Sequence, residues 1–251
     1  MKAMILAAGL GTRLRPITDS RPKALVEIAG RTLLEITLSR LRAIGIREVI
    51  INVHHFAEMI LEYLKANDNF GMRIEVSREE VLLDTGGGLK KAAYFFLDNS
   101  NDLEEPFILH NVDVISTIDL LRMVQFHTEN HALATLAVKK RETARYLYFD
   151  EQLQLCGRRS GRDQSPEFVR PSPQAQALAF SGIHVISTRL LTMMTEEGAF
   201  SMVACYLRLA SRQEKILAFR ADDYYWRDLG RPENVTQAAM EVCAQDLSHG
   251  I

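Results

Sequence analysis

The sequence lacks any long apolar run, and no stretch approaches the ~20 residues that a membrane-spanning helix needs. Its first apolar run, residues 3–8, is too short for the core of a secretion signal and leads straight into glycine and arginine. Cysteine is scarce as well, because Cys156, Cys205 and Cys243 are far apart and fit no metal-binding spacing. We therefore predict a cytoplasmic protein with reduced thiols and no membrane partner.

Neither sign of charge is in excess, since 30 Lys and Arg residues face 32 Asp and Glu residues and the net charge is -2. This balance predicts no nucleic-acid partner. No internal repeat is visible, and no hexapeptide periodicity indicates an appended β-helix. The chain of 251 residues is therefore predicted to form a single domain, residues 1–251, with no signal for its oligomeric state.

Strand-like and helix-like segments alternate along the chain. Residues 3–8, 48–53 and 73–77 have the composition of buried strands, and the intervening residues 33–44 and 57–65 have helical spacing, as do residues 202–211 further on. Thr32 is predicted to cap the first helix and Gly45 to end it. The alternation predicts an α/β fold, a Rossmann-like three-layer sandwich with a mostly parallel, mixed central sheet. The polar segment 157–176 is predicted to be a mobile loop.

A glycine-rich loop follows the first predicted strand. Gly9 and Gly11 allow backbone N–H groups to approach a ligand, and such N–H groups form an anion-binding concavity. Positive charge is concentrated beside this loop, which predicts a phosphate ligand. A dinucleotide-binding oxidoreductase is disfavoured because Leu14 stands where the third glycine of its fingerprint would be, and the Gly-Lys-Ser/Thr of a P-loop is absent. The cations concerned are Lys2, Arg13, Arg15, Arg21 and Lys23.

Two acidic residues are candidate metal ligands. Asp113 follows the predicted strand 107–110, and ligands of α/β sheets bind beyond the carboxyl ends of strands. Asp228 follows the aromatic segment 224–226. Two carboxylates can hold one Mg²⁺ when water and phosphate oxygens complete the octahedron. Each aspartate could instead cap a helix or a turn.

A second glycine run, Gly86-Gly87-Gly88, is predicted to form a loop before a helix at residues 89–97. Three consecutive residues without side chains would let a flat nucleobase lie against the backbone. A plain turn at the start of a helix is the alternative interpretation.

Two longer strings make the assignment more specific. Both resemble signatures of the sugar-1-phosphate nucleotidyltransferases. The first is Gly9-x-Gly11-Thr12-Arg13-Leu14-x-Pro16-x-Thr18 with Pro22-Lys23, and the second is Trp226-x-Asp228-x-Gly230-x-Pro232. The short chain and residues 84–88 are most similar to the small N-acetylmuramate-1-phosphate uridylyltransferases, with the heptose- and mannose-1-phosphate guanylyltransferases as close relatives. The resemblance implies Mg²⁺-dependent transfer of a nucleotidyl group from a nucleoside triphosphate to a sugar-1-phosphate.

The resemblance also implies roles for individual residues. Arg13, Lys23 and Asp113 would be catalytic, and Asp113 and Asp228 would hold the metal. Nucleotide binding would fall to Ala8, Gly9, Gly11, Thr12, Arg13, Lys23, Gly86, Gly87 and Gly88. Sugar binding would fall to Asn111, Ser181 and Gly182.

Two departures from the family pattern leave alternatives open. The string Asn111-Val112-Asp113 has valine where the family usually has glycine before the aspartate, and Leu155-Cys156-Gly157-Arg158-Arg159 stands where a Glu-Lys-Pro string is common. A non-catalytic sensor or regulatory subunit that keeps the nucleotide-sugar pocket is therefore the main alternative. A second alternative is a nucleotidyltransferase that acts on another small phosphate, such as phosphocholine.

Overall fold

The computed structural model describes residues 1–98 and 103–244. Its strands are β1 (Ala3–Leu6), β2 (Glu27–Ile28), β3 (Arg31–Thr32), β4 (Glu48–Val53), β5 (Arg73–Arg78), β6 (Pro106–Asn111), β7 (Val114–Ser116), β8 (Ala134–Lys139), β9 (Tyr146–Phe149), β10 (Leu155–Arg159), β11 (Glu167–Phe168), β12 (Gln176–Ser187), β13 (Ile216–Arg220) and β14 (Trp226–Asp228). Its helices are α1 (Leu33–Ala43), α2 (Ala57–Ala66), α3 (Asp84–Lys91), α4 (Ala93–Leu97), α5 (Leu120–Glu129), α6 (Arg189–Thr192), α7 (Met202–Ser211) and α8 (Pro232–Ala244).

The central sheet is mixed. Strands β5, β4, β1 and β6 pair in parallel in that order. Parallel pairing needs a long crossover, and each of these strands is joined to the next in the chain by a segment that contains at least one helix. The long strand β12 is antiparallel to β6, β8 and β9, and β13 adds in parallel beyond β8. Strands β10 and β11 continue the sheet from β9. This topology confirms the predicted α/β fold.

The sheet separates two apolar layers. Ile5 and Met4, neighbours on β1, belong to different buried clusters because successive side chains of a strand point to opposite faces. Helices α1, α2, α5 and α8 contribute to the cluster that contains Ile5, and α3, α4, α6 and α7 to the one that contains Met4. The predicted three-layer arrangement is therefore present.

Several local predictions are confirmed. Strand β4 and helix α7 have the predicted bounds. The Thr32 side chain accepts a hydrogen bond from the Glu35 N–H, as a helix N-cap does. Gly45 has a φ of 87°, the left-handed conformation that commonly ends a helix. In residues 1–98 and 103–244 we find no helix with the length and apolar character needed to traverse a lipid bilayer.

Other local predictions are wrong. Gly86, Gly87 and Gly88 are not in a loop but inside helix α3, which starts at Asp84. The predicted loop at 157–176 contains the end of β10 and strand β11, which pair with each other. Gly157 permits this pairing, because a Cβ at that position would lie 2.6 Å from the Glu167 carbonyl oxygen. Strand β14 was not predicted.

Candidate active site

The N-terminal glycine loop lies at the carboxyl end of β1. Its base is held by the protein itself: the Ala7 N–H donates to Asn52 Oδ1 at 2.7 Å, and Thr18 Oγ1 donates to the Gly11 carbonyl at 2.8 Å. Gly11 has a φ of 66° and leaves no room for a Cβ, which would lie 2.9 Å from Thr18 Cγ2. Gly9, in contrast, faces open space, because no atom lies within 4 Å of the position that a Cβ would occupy. The tip of the loop is thus free to contact a ligand.

A cavity of about 460 Å³ opens beside this loop. The carboxyl ends of the parallel strands β1, β4 and β6 meet there, as expected for a ligand site in such a sheet. All the predicted nucleotide-binding residues outside helix α3 share its wall, and so does the predicted metal ligand Asp113. These nucleotide-binding residues are Ala8, Gly9, Gly11, Thr12, Arg13 and Lys23.

Lys23 and Asp113 meet in this cavity. Pro22 precedes the short helical turn that carries Lys23, and the Lys23 ammonium group donates to Asp113 Oδ2. Lys23 is only 8% exposed, so its charge is largely removed from water. A partly buried ion pair is favourable only when each charge keeps its partner.

Asp113 and Asp228 are brought together by the pairing of β7 with β14. In this antiparallel ladder Asp228 is opposite Val114, the residue after Asp113. The Leu229 N–H also donates to the Asp113 carbonyl at 2.8 Å. Two acidic residues from distant parts of the chain therefore lie close together.

Arg13 approaches the same place. A Cβ built on Gly230 would lie 2.6 Å from both Arg13 Nη2 and Asp228 Oδ1, so these two groups flank the glycine. Asp228 Oδ1 also accepts a hydrogen bond from the Gly230 N–H at 2.6 Å. Arg13, Asp113 and Asp228, which the sequence analysis placed in one cleft, therefore lie near one another.

A second, larger cavity of about 1280 Å³ adjoins the first. Arg13 and Asn111 line both cavities, so the two spaces meet at these residues. Asp228 lines the larger cavity and Asp113 the smaller one. The two carboxylates therefore flank the junction.

The predicted sugar-binding residues lie in the larger cavity. Asn111 Oδ1 and Ser181 Oγ are buried and have no hydrogen-bond partner among the described residues. Gly182 has a φ of 77°, and a Cβ there would lie 2.9 Å from Val114 Cγ2. Because buried polar atoms are usually paired, the two free oxygens indicate a place for a polar ligand.

The glycines of helix α3 are placed differently from what the sequence suggested. Their missing side chains make room for the protein's own atoms: a Cβ on Gly86 would lie 2.4 Å from the Phe200 ring, and one on Gly87 would lie 2.4 Å from the Gly198 carbonyl oxygen. The wall of the smaller cavity is formed instead by Leu82, Asp84 and Thr85. Contact between Gly86, Gly87 or Gly88 and a nucleobase stays a prediction.

Sequence reasoning missed three residues of these cavities. Asn52 and Glu79 are buried in the smaller cavity, where Asn52 Nδ2 donates to Glu79 Oε1 at 2.8 Å. Asn52 interrupts an otherwise apolar strand, and that interruption was the available signal. Arg141 lines the larger cavity, stacked with its guanidinium carbon 4.1 Å from the Trp226 ring centroid. Burial lowers the pKa of Arg141, while the negative charge of Asp228 opposes that shift.

The acidic residues fit a hard, oxygen-seeking cation. The residues the structure describes contain no group of three or more His, Cys, Asp or Glu side chains suited to a metal. A site with only two carboxylates suits Mg²⁺, which keeps several waters and takes further oxygens from a substrate phosphate.

The fold and the two joined cavities define an α/β protein with an anion-binding loop at the carboxyl edge of its sheet. The chain belongs to the nucleotidyl transferase family, whose model matches residues 2–245. It is 45% identical over 116 residues to an N-acetylmuramate alpha-1-phosphate uridylyltransferase of Caulobacter vibrioides. The aligned residues make up 45% of this chain and 46% of that protein. It is 28% identical over 237 residues to a mannose-1-phosphate guanyltransferase of Yarrowia lipolytica. This alignment covers 93% of this chain and 62% of that protein. The matched regions thus span less than two thirds of these relatives.

Solved structures share the fold. A UDP-glucose pyrophosphorylase complexed with UDP-glucose superposes with a TM-score of 0.77 at 17% identity, over 97% of this chain and 98% of the other. HddC from Yersinia pseudotuberculosis complexed with GMP-PN gives a TM-score of 0.74 at 20% identity, over 96% and 98%.

Proposed function

We propose that the protein transfers a nucleotidyl group from a nucleoside triphosphate to a sugar-1-phosphate. The observation that carries the proposal is the cluster of Arg13, Lys23, Asp113 and Asp228 at the junction of two cavities. One cavity would hold the nucleotide and the other the acceptor. The uridylyl- and guanylyltransferase relatives make UTP and GTP the first donors to test.

In the proposed reaction an oxygen of the acceptor phosphate attacks the α-phosphorus of the triphosphate. The bond from that phosphorus to the oxygen bridging to the β-phosphate breaks, and pyrophosphate leaves with the electron pair. Little covalent chemistry is left to the protein, so its contribution is positioning and stabilisation of charge.

The phosphate end of the nucleotide would be held by the glycine loop and two cations. N–H groups around Gly9 and Gly11 would bind the anion, and Arg13 can bind two phosphate oxygens with its forked guanidinium. Lys23 would neutralise charge near the α-phosphate. Asp113 and Asp228 would hold Mg²⁺, which when bound stabilises negative charge on the phosphate oxygens.

The acceptor would be oriented in the larger cavity. Asn111 Oδ1 and Ser181 Oγ are unpaired among the described residues and would exchange hydrogen bonds with sugar hydroxyls. Gly182 would let the ring approach the backbone. The reaction would take place in the cytoplasm, where nucleoside triphosphates and sugar phosphates are supplied to it as partners.

The test is release of pyrophosphate with Mg²⁺ across a panel of nucleoside triphosphates and sugar-1-phosphates, with phosphocholine as an acceptor of another class. Turnover with at least one sugar-1-phosphate is expected, and chelation of the cation should abolish it. Turnover with phosphocholine and with none of the sugar-1-phosphates would show that the acceptor is phosphocholine. Nucleotide binding by calorimetry without pyrophosphate release from any pair would contradict the proposal and favour the sensor.

The matched variant is Asp113→Asn, which keeps the side-chain shape and removes the charge. It should lower turnover at least about a hundred-fold, because the group neutralised is at the reacting centre. Nucleotide binding unaffected by this change, together with unchanged turnover, would remove Asp113 from the proposed site.

A further inference from the structure

The larger cavity has a strong local excess of positive charge. Its acidic lining residues are Glu142 and Asp228, while the basic ones are Arg13, Lys139, Arg141, Arg145, Arg158, Arg159, Arg162, Arg227 and Arg231. The whole protein has a net charge of -2, so this excess is a feature of the cavity and not of the surface at large.

Part of this charge is neutralised within the protein. Arg158 Nε donates to Glu167 Oε2 at 2.8 Å, and Arg227 forms an ion pair with Glu241. Among residues 1–98 and 103–244, no ion pair is formed by five other arginines of the cavity, although the negative charge of Asp228 acts on the first of them. These five are Arg141, Arg145, Arg159, Arg162 and Arg231.

Two of these arginines are held in position by aromatic rings. The guanidinium carbon of Arg141 lies 4.1 Å from the Trp226 ring centroid, and that of Arg159 lies 4.8 Å from the Tyr146 centroid. The Nε atom of each is buried and has no hydrogen-bond partner in the part of the chain that the structure describes. Stacking fixes the plane of a guanidinium and leaves its edge available for two parallel hydrogen bonds to an anion.

The two arginines stack on rings of different strands. Arg141 stacks on Trp226 of β14, the strand that carries Asp228, and its Nη2 donates to the Phe180 carbonyl at 2.9 Å. Arg159 ends β10, opposite Tyr146 of β9. A simple sugar-1-phosphate carries one anionic group, and a single guanidinium can bind two of its oxygens. If Arg141 binds that phosphate, Arg159 is left without an anion.

We propose that the natural acceptor carries a second anionic group, a carboxylate or a further phosphate ester, and that Arg159 binds this group while Arg141 binds the phosphate that attacks. The use of the larger cavity for the acceptor rests on the function proposed above. The other arginines of the cavity raise the positive potential around the second anion and thus favour its binding.

The experiment compares acceptors that differ only in charge. Glucose-1-phosphate is paired with glucuronate-1-phosphate and with a glucose bisphosphate, and N-acetylglucosamine-1-phosphate is paired with N-acetylmuramate-1-phosphate. The specificity constant kcat/KM is measured by pyrophosphate release, and Kd by calorimetry with the same acceptors. The charged member of at least one pair should be favoured by about ten-fold or more in both readouts, because hydrogen bonds to a charged group are strong.

Variants assign the preference to a residue. Arg159→Gln should bring the charged-to-neutral ratio close to one, whereas Arg141→Gln should weaken both members of a pair alike. Arg122→Gln, an exposed arginine of α5, is the matched control and should keep the wild-type ratio. Circular dichroism verifies that each variant is folded.

The outcomes distinguish failure of this inference from failure of the proposed nucleotidyl transfer. Turnover of neutral and charged acceptors on equal terms, or an unchanged ratio in Arg159→Gln, overturns this inference and leaves the proposed function standing. Selective binding of the charged acceptors without pyrophosphate release supports this inference and contradicts the proposed function. Absence of binding by all the acceptors overturns the inference.

Discussion

The Lys23 ammonium group and the Asp113 carboxylate form an ion pair across 90 positions of sequence. Both side chains line the smaller cavity, and the pair lies one residue from the point where β7 pairs with β14. A nucleotide phosphate entering this cavity would compete with Asp113 for Lys23, and a divalent cation would compete with Lys23 for Asp113. The pair therefore keeps both groups in place for the ligands that we propose.

Replacement of Lys23 tests its proposed role directly. Lys23→Met keeps the length of the side chain and removes its charge, so we expect kcat/KM for pyrophosphate release to fall roughly a hundred-fold or more. Lys65→Met, an exposed lysine of α2, serves as the control and should behave as wild type. A Lys23→Met protein that retains activity within about two-fold of wild type would contradict the role.

Asp228 is predicted to set the requirement for Mg²⁺. Asp228→Asn leaves a neutral oxygen donor, which binds a hard cation more weakly than a carboxylate does. The Mg²⁺ concentration for half-maximal rate should rise on the order of ten-fold or more, as measured in metal titrations of the activity. Asp223→Asn, at an exposed position nearby in sequence, should not alter the titration. An identical Mg²⁺ curve for both variants would argue that Asp228 is not a ligand.

Gly87 is predicted to be a packing residue. Its added methyl would meet the backbone oxygen of Gly198, which has no flexible side chain to move aside. Gly87→Ala should therefore cost about 1–3 kcal/mol of unfolding free energy and lower the Tm by roughly 2–4 °C per kcal/mol. Gly9→Ala is the contrast, since its methyl points into open space and should leave the Tm unchanged while weakening nucleotide binding. Equal Tm values for both variants would refute the packing argument.

His127 should make the protein sensitive to acid. It is buried with Nδ1 3.0 Å from Thr135 Oγ1 and Nε2 3.1 Å from Ser187 Oγ, and burial lowers its pKa from 6.5 to about 4. The unfolded chain takes up a proton below pH 6.5 that the folded chain takes up only near pH 4. The unfolding free energy should thus fall as the pH falls across this window, by up to about 1.4 kcal/mol per pH unit.

Urea unfolding at several pH values measures this effect. His127→Gln removes one titrating group, so its unfolding free energy should decline less steeply between those two pKa values. His55→Gln changes an exposed histidine and should keep the wild-type slope. If all three proteins show parallel declines, His127 is not responsible.

Trp226 offers a direct signal for the larger cavity. It is the sole tryptophan of the sequence, its ring stacks with Arg141, and its Nε1–H donates to the Ser181 carbonyl at 2.7 Å. Binding of an acceptor phosphate near Arg141 should change the tryptophan fluorescence in a saturable way, with a midpoint equal to the calorimetric Kd. Sodium chloride at equal ionic strength controls for salt. A flat response at acceptor concentrations that saturate turnover would place the acceptor elsewhere.

The sequence was sufficient where one short segment contains the whole signal. The apolar run before Gly9 predicted β1 and its loop, and Asp113 was recognised because it lies just beyond the end of an apolar strand. The meeting of Asp113 with Asp228 also followed from the family strings around them. The physical cause of that meeting, the pairing of β7 with β14, was not predictable, because three-residue strands carry no measurable periodicity.

The failures have a common cause in tertiary packing. Glycine has a low helix propensity, yet Gly86, Gly87 and Gly88 lie in α3, where Phe200 and Gly198 occupy the space that side chains on the first two would need. Likewise, the sequence around Arg159 is polar and predicts no more than a solvent-exposed arginine. Its importance emerges from the ring of Tyr146, which β9–β10 pairing places beside it.

The β7–β14 ladder makes the proposed site depend on two segments that are synthesised far apart in time. The ribosome releases the glycine loop early, whereas the strand that carries Asp228 emerges more than a hundred residues after Asp113. Until then β7 lacks the antiparallel neighbour that β14 provides, and Trp226 is not available to stack with Arg141. A nascent chain can therefore present its phosphate loop but neither the second carboxylate nor the completed wall of the larger cavity, so the proposed reaction must wait until β14 has been synthesised.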